Sequence, residues 1–463
     1  MPLNAWRPRA GGANHAGAPE AAPPASGQGF LARWLRQDLV VTLGGSVGRL
    51  GLGFVASIVI ARQLGPAGYG LIALVSLVVS VLDTVADFGL TNTAVHAVAR
   101  GLSKGLPTAA PIAAGYWSLT LVLNAAGAAT GFLLAGPIAS LALGRPDAEP
   151  VVRLVVLGLL SVAGNGACAA LLQASRQFGR LAALQVLTQC TYLMGVLALA
   201  ATGHMSVEAV VLLGVVNPLV GFLLGLQFLP RGLLDPRLGL GHAARSAWVD
   251  LARFSRWLWI SSVLSLLAAQ LDLALVGRWL PAVEVGLYAL ALNLATKLDI
   301  LNQARFTVLL PSVATLSREG MRSHVRRGLL RSAALSVPLL LALPLAGPLV
   351  GLVYGQAYLD AVPALLVLML AVVFDLLTTP LILLAYPMNA PRVLAASDVL
   401  RVTTLVCMAA PLVPALGPSG AALAKLGAKV VGAAFTLLAL WWLSAKQPEA
   451  AARTPVASPP AQP

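Results

Sequence analysis

Apolar positions in this chain come in long unbroken runs, separated by short breaks rich in glycine, proline or basic residues. Such runs read as membrane-crossing helices, whereas a water-facing helix or strand would show one apolar face or a strict alternation. A crossing needs roughly 20 mostly apolar residues to span about 30 Å of hydrocarbon. Runs of that kind lie at 40–61, 68–90, 111–135, 151–174, 182–202, 207–229, 254–279, 285–311, 329–353, 361–387, 393–415 and 418–444. The expected fold is therefore an all-α polytopic membrane protein of about twelve transmembrane helices.

Repetition refines that picture. The segment 61–71, ARQLGPAGYGL, matches 277–287, GRWLPAVEVGL, at a constant offset that pairs Arg62 with Arg278, Leu64 with Leu280, Gly70 with Gly286 and Leu71 with Leu287. The same offset pairs Asp83 with Asp299. A looser match sets RLAALQVL at 180–187 against RVLAASDVL at 392–400. Six spans per repeat return the chain to its starting side, so the halves share one orientation about a pseudo-twofold axis along the membrane normal, with a cleft between them. The expected organisation is a 1–30 tail, a bundle at 31–229, a cytoplasmic linker at 230–253, a second bundle at 254–446 and a 447–463 tail. Both tails, rich in Ala, Gly and Pro, are expected to be disordered, and the first lacks the pattern of a secretory signal.

Composition agrees, with 58% hydrophobic and 10% charged residues and a mean hydropathy of +0.84. The formal net charge of +14 could suggest nucleic acid, but its placement argues for topology. With a cytoplasmic N-terminus, most Lys and Arg fall on inside segments, and only Arg62, Arg145, Arg153 and Arg278 fall outside. This is the positive-inside pattern of an even number of spans, with both termini cytoplasmic. Basic clusters such as Arg322 to Arg331 also suit contact with anionic membrane lipids. Cys168, Cys190 and Cys407 lie within predicted spans with no metal-binding spacing, and read as small apolar packers.

Five strings then carry a resemblance. They are ARQLGPAGYGL at 61–71, ADFGL at 86–90, LLQASRQFGR at 171–180, VGLYALAL at 285–292 and LVYGQAYLDAVPAL at 352–365. In that order, among twelve spans, the chain resembles the polysaccharide-export flippases of the multidrug/oligosaccharidyl-lipid/polysaccharide (MOP) superfamily, often called Wzx-like. The resemblance implies a MATE-like fold and a non-enzymatic translocator in the bacterial inner membrane, without cofactor. It would turn an undecaprenyl-diphosphate-linked oligosaccharide to the outer leaflet by alternating access, for O-antigen, lipopolysaccharide or exopolysaccharide synthesis. Polysaccharide polymerase or export machinery would be its partners.

The residues inside the spans supply fitting chemistry. Arg49, Lys297, Arg305, Arg401, Lys425 and Lys429 lie within apolar runs, and a cation at the bilayer centre costs about 2.5–3.5 kcal/mol unless it meets water or a partner. These six are the candidate cavity cations for a diphosphate. Arg49 ranks first, because Gly44, Gly45, Ser46, Gly48, Gly51 and Gly53 around it permit close approach; the family resemblance adds that a first-span arginine often lines the central cavity. A structural pair with Asp83 or Asp87 is the plainer alternative. Lys425 and Lys429, one turn apart, share a face and need an anion or water between them. Among the acids Asp83, Asp87, Asp272, Asp299, Asp375 and Asp398, pairing is the default; the sharper reading makes Asp83, Asp87 or Asp299 a site for H+ or Na+ coupling.

Two rival classes remain at this stage. An ion-coupled multidrug exporter of the same superfamily would favour an acidic or aromatic cavity. A membrane polysaccharide polymerase or ligase would favour a large outer loop with catalytic side chains, whereas the longest here, 136–150, is short. No GxxxxGK[ST] phosphate loop and no Asp-x-Asp motif occurs.

Overall fold

The computed structural model describes residues 26–234, 242–313, 318–385, 388 and 391–452; residues 1–25 and 453–463, within the expected tails, lie outside this description. Regular structure among the described residues is helical throughout: α1 (Ser26–Asp87), α2 (Leu90–Leu102), α3 (Leu106–Leu133), α4 (Ala135–Pro137), α5 (Glu149–Leu157), α6 (Leu159–Ala174), α7 (Phe178–Ala201), α8 (Val207–Phe228), α9 (His242–Trp279), α10 (Ala282–Val313), α11 (Arg318–Ala342), α12 (Ala346–Val353), α13 (Val362–Ile382) and α14 (Pro391–Ala452), with short 3-10 and π turns between some of them. Helix α9 begins at His242, inside the segment expected as a linker.

The apolar stretch Gly44–Asp87 of α1 and the stretch Val393–Leu443 of α14 are 44 and 51 residues long. At about 1.5 Å per residue each would measure some 65 Å or more if straight, twice the hydrocarbon thickness. A Gly-Pro step divides each. Gly65 adopts φ 67°, ψ −180° before Pro66, and Gly417 adopts φ 58°, ψ −137° before Pro418. Only glycine takes such a conformation cheaply, and the proline that follows is preset to start a new helical limb. Nine helical stretches among the described residues are long and apolar enough to cross a membrane. Two of them divide at these steps, and α10, which carries Lys297 and Asp299, completes the twelve expected crossings. The chain is a multi-pass membrane protein.

The pseudo-twofold relation is visible where the repeats meet. A side chain on Gly70 would strike the Ala282 carbonyl and the backbone of Gly286, and one on Gly286 would strike the Pro66 carbonyl. The offset that pairs Gly70 with Gly286 also pairs Pro66 with Ala282, so each half makes the same contact with the other. Reciprocal contact of this kind places the two glycines beside the axis. The main apolar core runs through this junction, joining Ala56, Ile60 and Leu74 to Val285, Tyr288 and Leu290; a second core lies within the first half around Leu90, Tyr116, Leu171 and Leu184.

Further contacts close the halves together at the Gly65 end. Arg62 Nε donates to the Val353 carbonyl at 2.7 Å and its Nη2 to that of Leu352. Tyr358 donates to the Ala61 carbonyl at 2.9 Å, and Asn293 Nδ2 to the Tyr69 hydroxyl at 3.0 Å. Tyr69 and Tyr354 pack edge-on against Tyr358, with ring centroids 6.3 and 6.1 Å away, and Arg145 Nη2 reaches the Leu280 carbonyl at 3.2 Å.

Candidate functional site

Three groupings gather the predicted site residues. The first bridges the halves. Arg49, exposed on the first limb of α1, stands within electrostatic reach of Lys297 on α10, and Lys297 lies 5.8 Å from the Phe54 ring centroid, a cation–π arrangement. Neither cation forms an ion pair with a described carboxylate, so Arg49 is not held by Asp83 or Asp87. Two like charges thus face one another from different halves, and an anion placed between them would relieve their repulsion.

The second grouping is a cavity of about 390 Å³ in the second half, bounded by Ser265, Ala268, Ala269, Asp299, Asp398, Lys425 and Lys429 among others. Its lysines meet anions of the chain itself. Lys425 donates to Asp272 Oδ2 at 2.7 Å and to the Ala269 carbonyl at 2.9 Å, while Tyr288 donates to the same carboxylate oxygen. Asp272 and Tyr288 are fully buried. This charged triad joins α9, α10 and the second limb of α14; Lys429 pairs with Asp375 and adds α13. Charge-assisted bonds of this kind are strong only when geometry and remaining lone pairs are satisfied, and Asp272 Oδ1 has no hydrogen-bond partner among the described residues. Arg401, half-buried, lies against Gly432, where any larger residue would strike its side chain. The side chain of Arg305, also a candidate, lies outside the described residues.

The third is a cavity of about 270 Å³ in the first half, lined by Asp83, Thr84, Asp87, Thr91, Tyr116, Thr120, Asn124 and Ser262 among others. Asp87 accepts from the Thr91 backbone N–H at 3.2 Å and from the Thr91 hydroxyl, and Thr91 Oγ1 stands 3.2 Å from the Tyr116 hydroxyl. No Lys or Arg forms an ion pair with Asp83 or Asp87 among the described residues. Helix α9 is a wall of both cavities, offering Ser262 to one and Ser265 with Ala268 and Ala269 to the other. Trp259 anchors it to the first half, donating to the Val85 carbonyl at 3.2 Å and packing on Phe88 with centroids 5.1 Å apart.

Sequence reasoning listed Asp272 and Asp375 only as acids in need of partners, and passed over Tyr116, Asn124 and Tyr288. A buried tyrosine or asparagine within an apolar run was the available signal. Arg62 and Arg145, read only as topology residues, bind carbonyls across the junction between halves.

A family described as polysaccharide biosynthesis protein matches residues 59–363. The chain belongs to this family. It is 26% identical to the lipopolysaccharide biosynthesis protein WzxC of Escherichia coli K12 over 270 residues, which cover 58% of this chain and 52% of WzxC; the match spans about half the length of that relative. The fold is shared with two solved transporters. An inward-facing MATE family multidrug resistance transporter of the MOP superfamily superposes with a TM-score of 0.66 at 15% identity, covering 86% of this chain and 96% of its own. The lipid II flippase MurJ in an inward closed conformation gives 0.66 at 11% identity, with 87% of each chain covered. The membership in a polysaccharide-biosynthesis family that the five strings implied by resemblance is thus the one found, and the fold is the MATE-like one expected with it.

Proposed function

We propose that this protein flips an undecaprenyl-diphosphate-linked oligosaccharide across the bacterial inner membrane by alternating access, for cell-surface or exopolysaccharide synthesis. The observation that carries the reading is the pair Arg49 and Lys297: two cations, one from each half, within electrostatic reach of each other and neither ion-paired with a described carboxylate. A diphosphate bound between them would draw the halves together at one depth, and the Phe54 ring beside Lys297 offers a face to a sugar or prenyl chain. Lys425 and Lys429, already paired, would serve as positioning charges, with Asp272 and Asp375 as their internal counter-ions. The two repeats are proposed to move as bundles at 31–229 and 254–446.

With both termini cytoplasmic, as the charge placement favours, the end sealed by Arg62, Tyr69 and Tyr358 faces outward and the substrate enters from the cytoplasm. Deleting the gene should leave a saccharide-lipid accumulating on the cytoplasmic side, and Arg49→Ala should reproduce that accumulation with the protein still in the membrane. Full export by the Arg49→Ala variant would remove the proposed site. The acidic first-half cavity favours a second reading, an exporter of organic cations; greater sensitivity to cationic drugs without saccharide accumulation would decide for it.

A further inference from the structure

We propose that Arg145 and Arg278 form a binding site for the phosphate group of a membrane lipid, at the Gly65 end of the junction between the halves. Lys and Arg are scarce on the side of a membrane opposite the basic loops, so each of the four arginines expected there calls for a partner. Arg62 has the Leu352 and Val353 carbonyls. Arg153 has Glu149 at 2.5 Å and the Phe132 ring at 5.5 Å. Arg145 and Arg278 form no ion pair among the described residues.

These two residues meet at one place. Arg278 Nη1 lies 3.5 Å, and the Arg278 carbonyl 3.3 Å, from the point that a Cβ on Gly144 would occupy. Arg145 follows Gly144 directly and donates through Nη2 to the Leu280 carbonyl at 3.2 Å. Among the described residues that is the one bond its guanidinium donors make, and Nε is enclosed without an acceptor. Arg278 is exposed and its side chain donates to no acceptor among the described residues. Guanidinium groups on neighbouring residues repel unless an anion comes between them. Their planar forks match the oxygens of a phosphate.

The repeat supplies an internal comparison. Arg278 is the counterpart of Arg62, and Gly144 stands as Gly355 does, each with positive φ (66° and 100°) just before a 3-10 turn. Arg62 is spent on the carbonyls that precede Gly355, whereas Arg278, beside Gly144, makes no such bond. Where the neutral Tyr358 donates to the Ala61 carbonyl in one half, the other brings a second arginine to Leu280. The surface nearby is apolar: Leu141, one turn before Gly144, is 70% exposed, and Trp279, next to Arg278, 41%. Exposed tryptophan marks the depth of lipid headgroups. That setting selects a phosphate carried on a lipid over a free one.

The inference stands apart from the flippase reading, because its readout is lipid binding without transport; on that reading this end faces outward and the lipid belongs to the outer leaflet. Purified full-length protein in dodecyl maltoside would be treated with phenylglyoxal, and the modification of each arginine followed by peptide mass spectrometry. Phosphatidylglycerol should slow modification of Arg278 severalfold and leave that of Arg153 unchanged. Dioleoylglycerol, which lacks the phosphate, and pyrophosphate, which lacks the lipid, should protect Arg278 far less. Arg145→Gln should raise the phosphatidylglycerol concentration needed for protection by at least about 10-fold, the loss expected of one charge-assisted bond. Should Arg145→Gln fail to fold, Arg278→Gln carries the test, since it alters an exposed side chain without described bonds; native mass spectrometry should then show less phosphatidylglycerol retained. Equal modification of Arg278 with and without phosphatidylglycerol, equal protection by dioleoylglycerol, stronger protection by pyrophosphate, or undiminished lipid retention by a folded Arg278→Gln variant would overturn the assignment.

Discussion

The two charged cavities lie one in each half of a duplicated scaffold, walled by different helices, and balance their carboxylates in different ways. In the second half, acids from α9 and α13 meet lysines from α14, and Tyr288 completes a buried triad. In the first half, Asp83 and Asp87 stand among hydroxyls and an unsatisfied amide oxygen with no cation paired to them among the described residues. Duplication preserved the helix arrangement, down to the reciprocal contact of Gly70 and Gly286, while the side chains that balance charge diverged.

Variants can test this asymmetry. The largest effect on stability is expected from Lys425→Met, which strands the fully buried Asp272 carboxylate. Loss of one partner of such a pair costs about 3–5 kcal/mol, seen as a large drop in melting temperature, and replacing Asp272 by Leu in the same chain should recover most of it.

Gly286→Ala should come next, because its Cβ would press on the Pro66 carbonyl, a backbone atom that cannot turn aside. A cost of about 1–3 kcal/mol is expected, along with increased access of thiol reagents to a cysteine introduced near the Gly65 end. Arg62→Ala removes two bonds to carbonyls at an exposed site and should cost about 1 kcal/mol or less; it should show mainly as easier opening at that end. Asp83→Asn should change stability least, because Asp83 lines a cavity and makes no ion pair or hydrogen bond among the described residues. A loss as large as that of Lys425→Met would show that the first-half acids are neutralised within the chain, and the contrast between halves would collapse.

Much of the fold was legible before any coordinates. Uninterrupted apolar runs, Gly-Pro breaks at 65–66 and 417–418, and the repeated 61–71 motif act locally or recur at fixed spacing. Hydropathy reads them directly, and the five ordered strings pointed to the correct family. The site was legible in part. Arg49 and Lys297 stood out as cations misplaced in apolar helices, and these two, one from each half, come within electrostatic reach of each other. The shared face of Lys425 and Lys429 followed from helical period alone, and so did the need for anions nearby.

Which anions they were could not be read in this way. Asp272, Asp375 and Tyr288 are far from the lysines in sequence, and their pairing is set by how α9, α10, α13 and α14 pack. The carbonyls bound by Arg62 and Arg145 carry no sequence signal at all, because every residue has one. The sequence by itself determined how many times the chain crosses the membrane, how it repeats and to which family it belongs, because burial in hydrocarbon imposes a constraint on every residue of a span. Tertiary structure alone decided which charges are spent on one another and which are left for a ligand, since a buried charge takes its meaning from the atoms packed within a few ångströms of it.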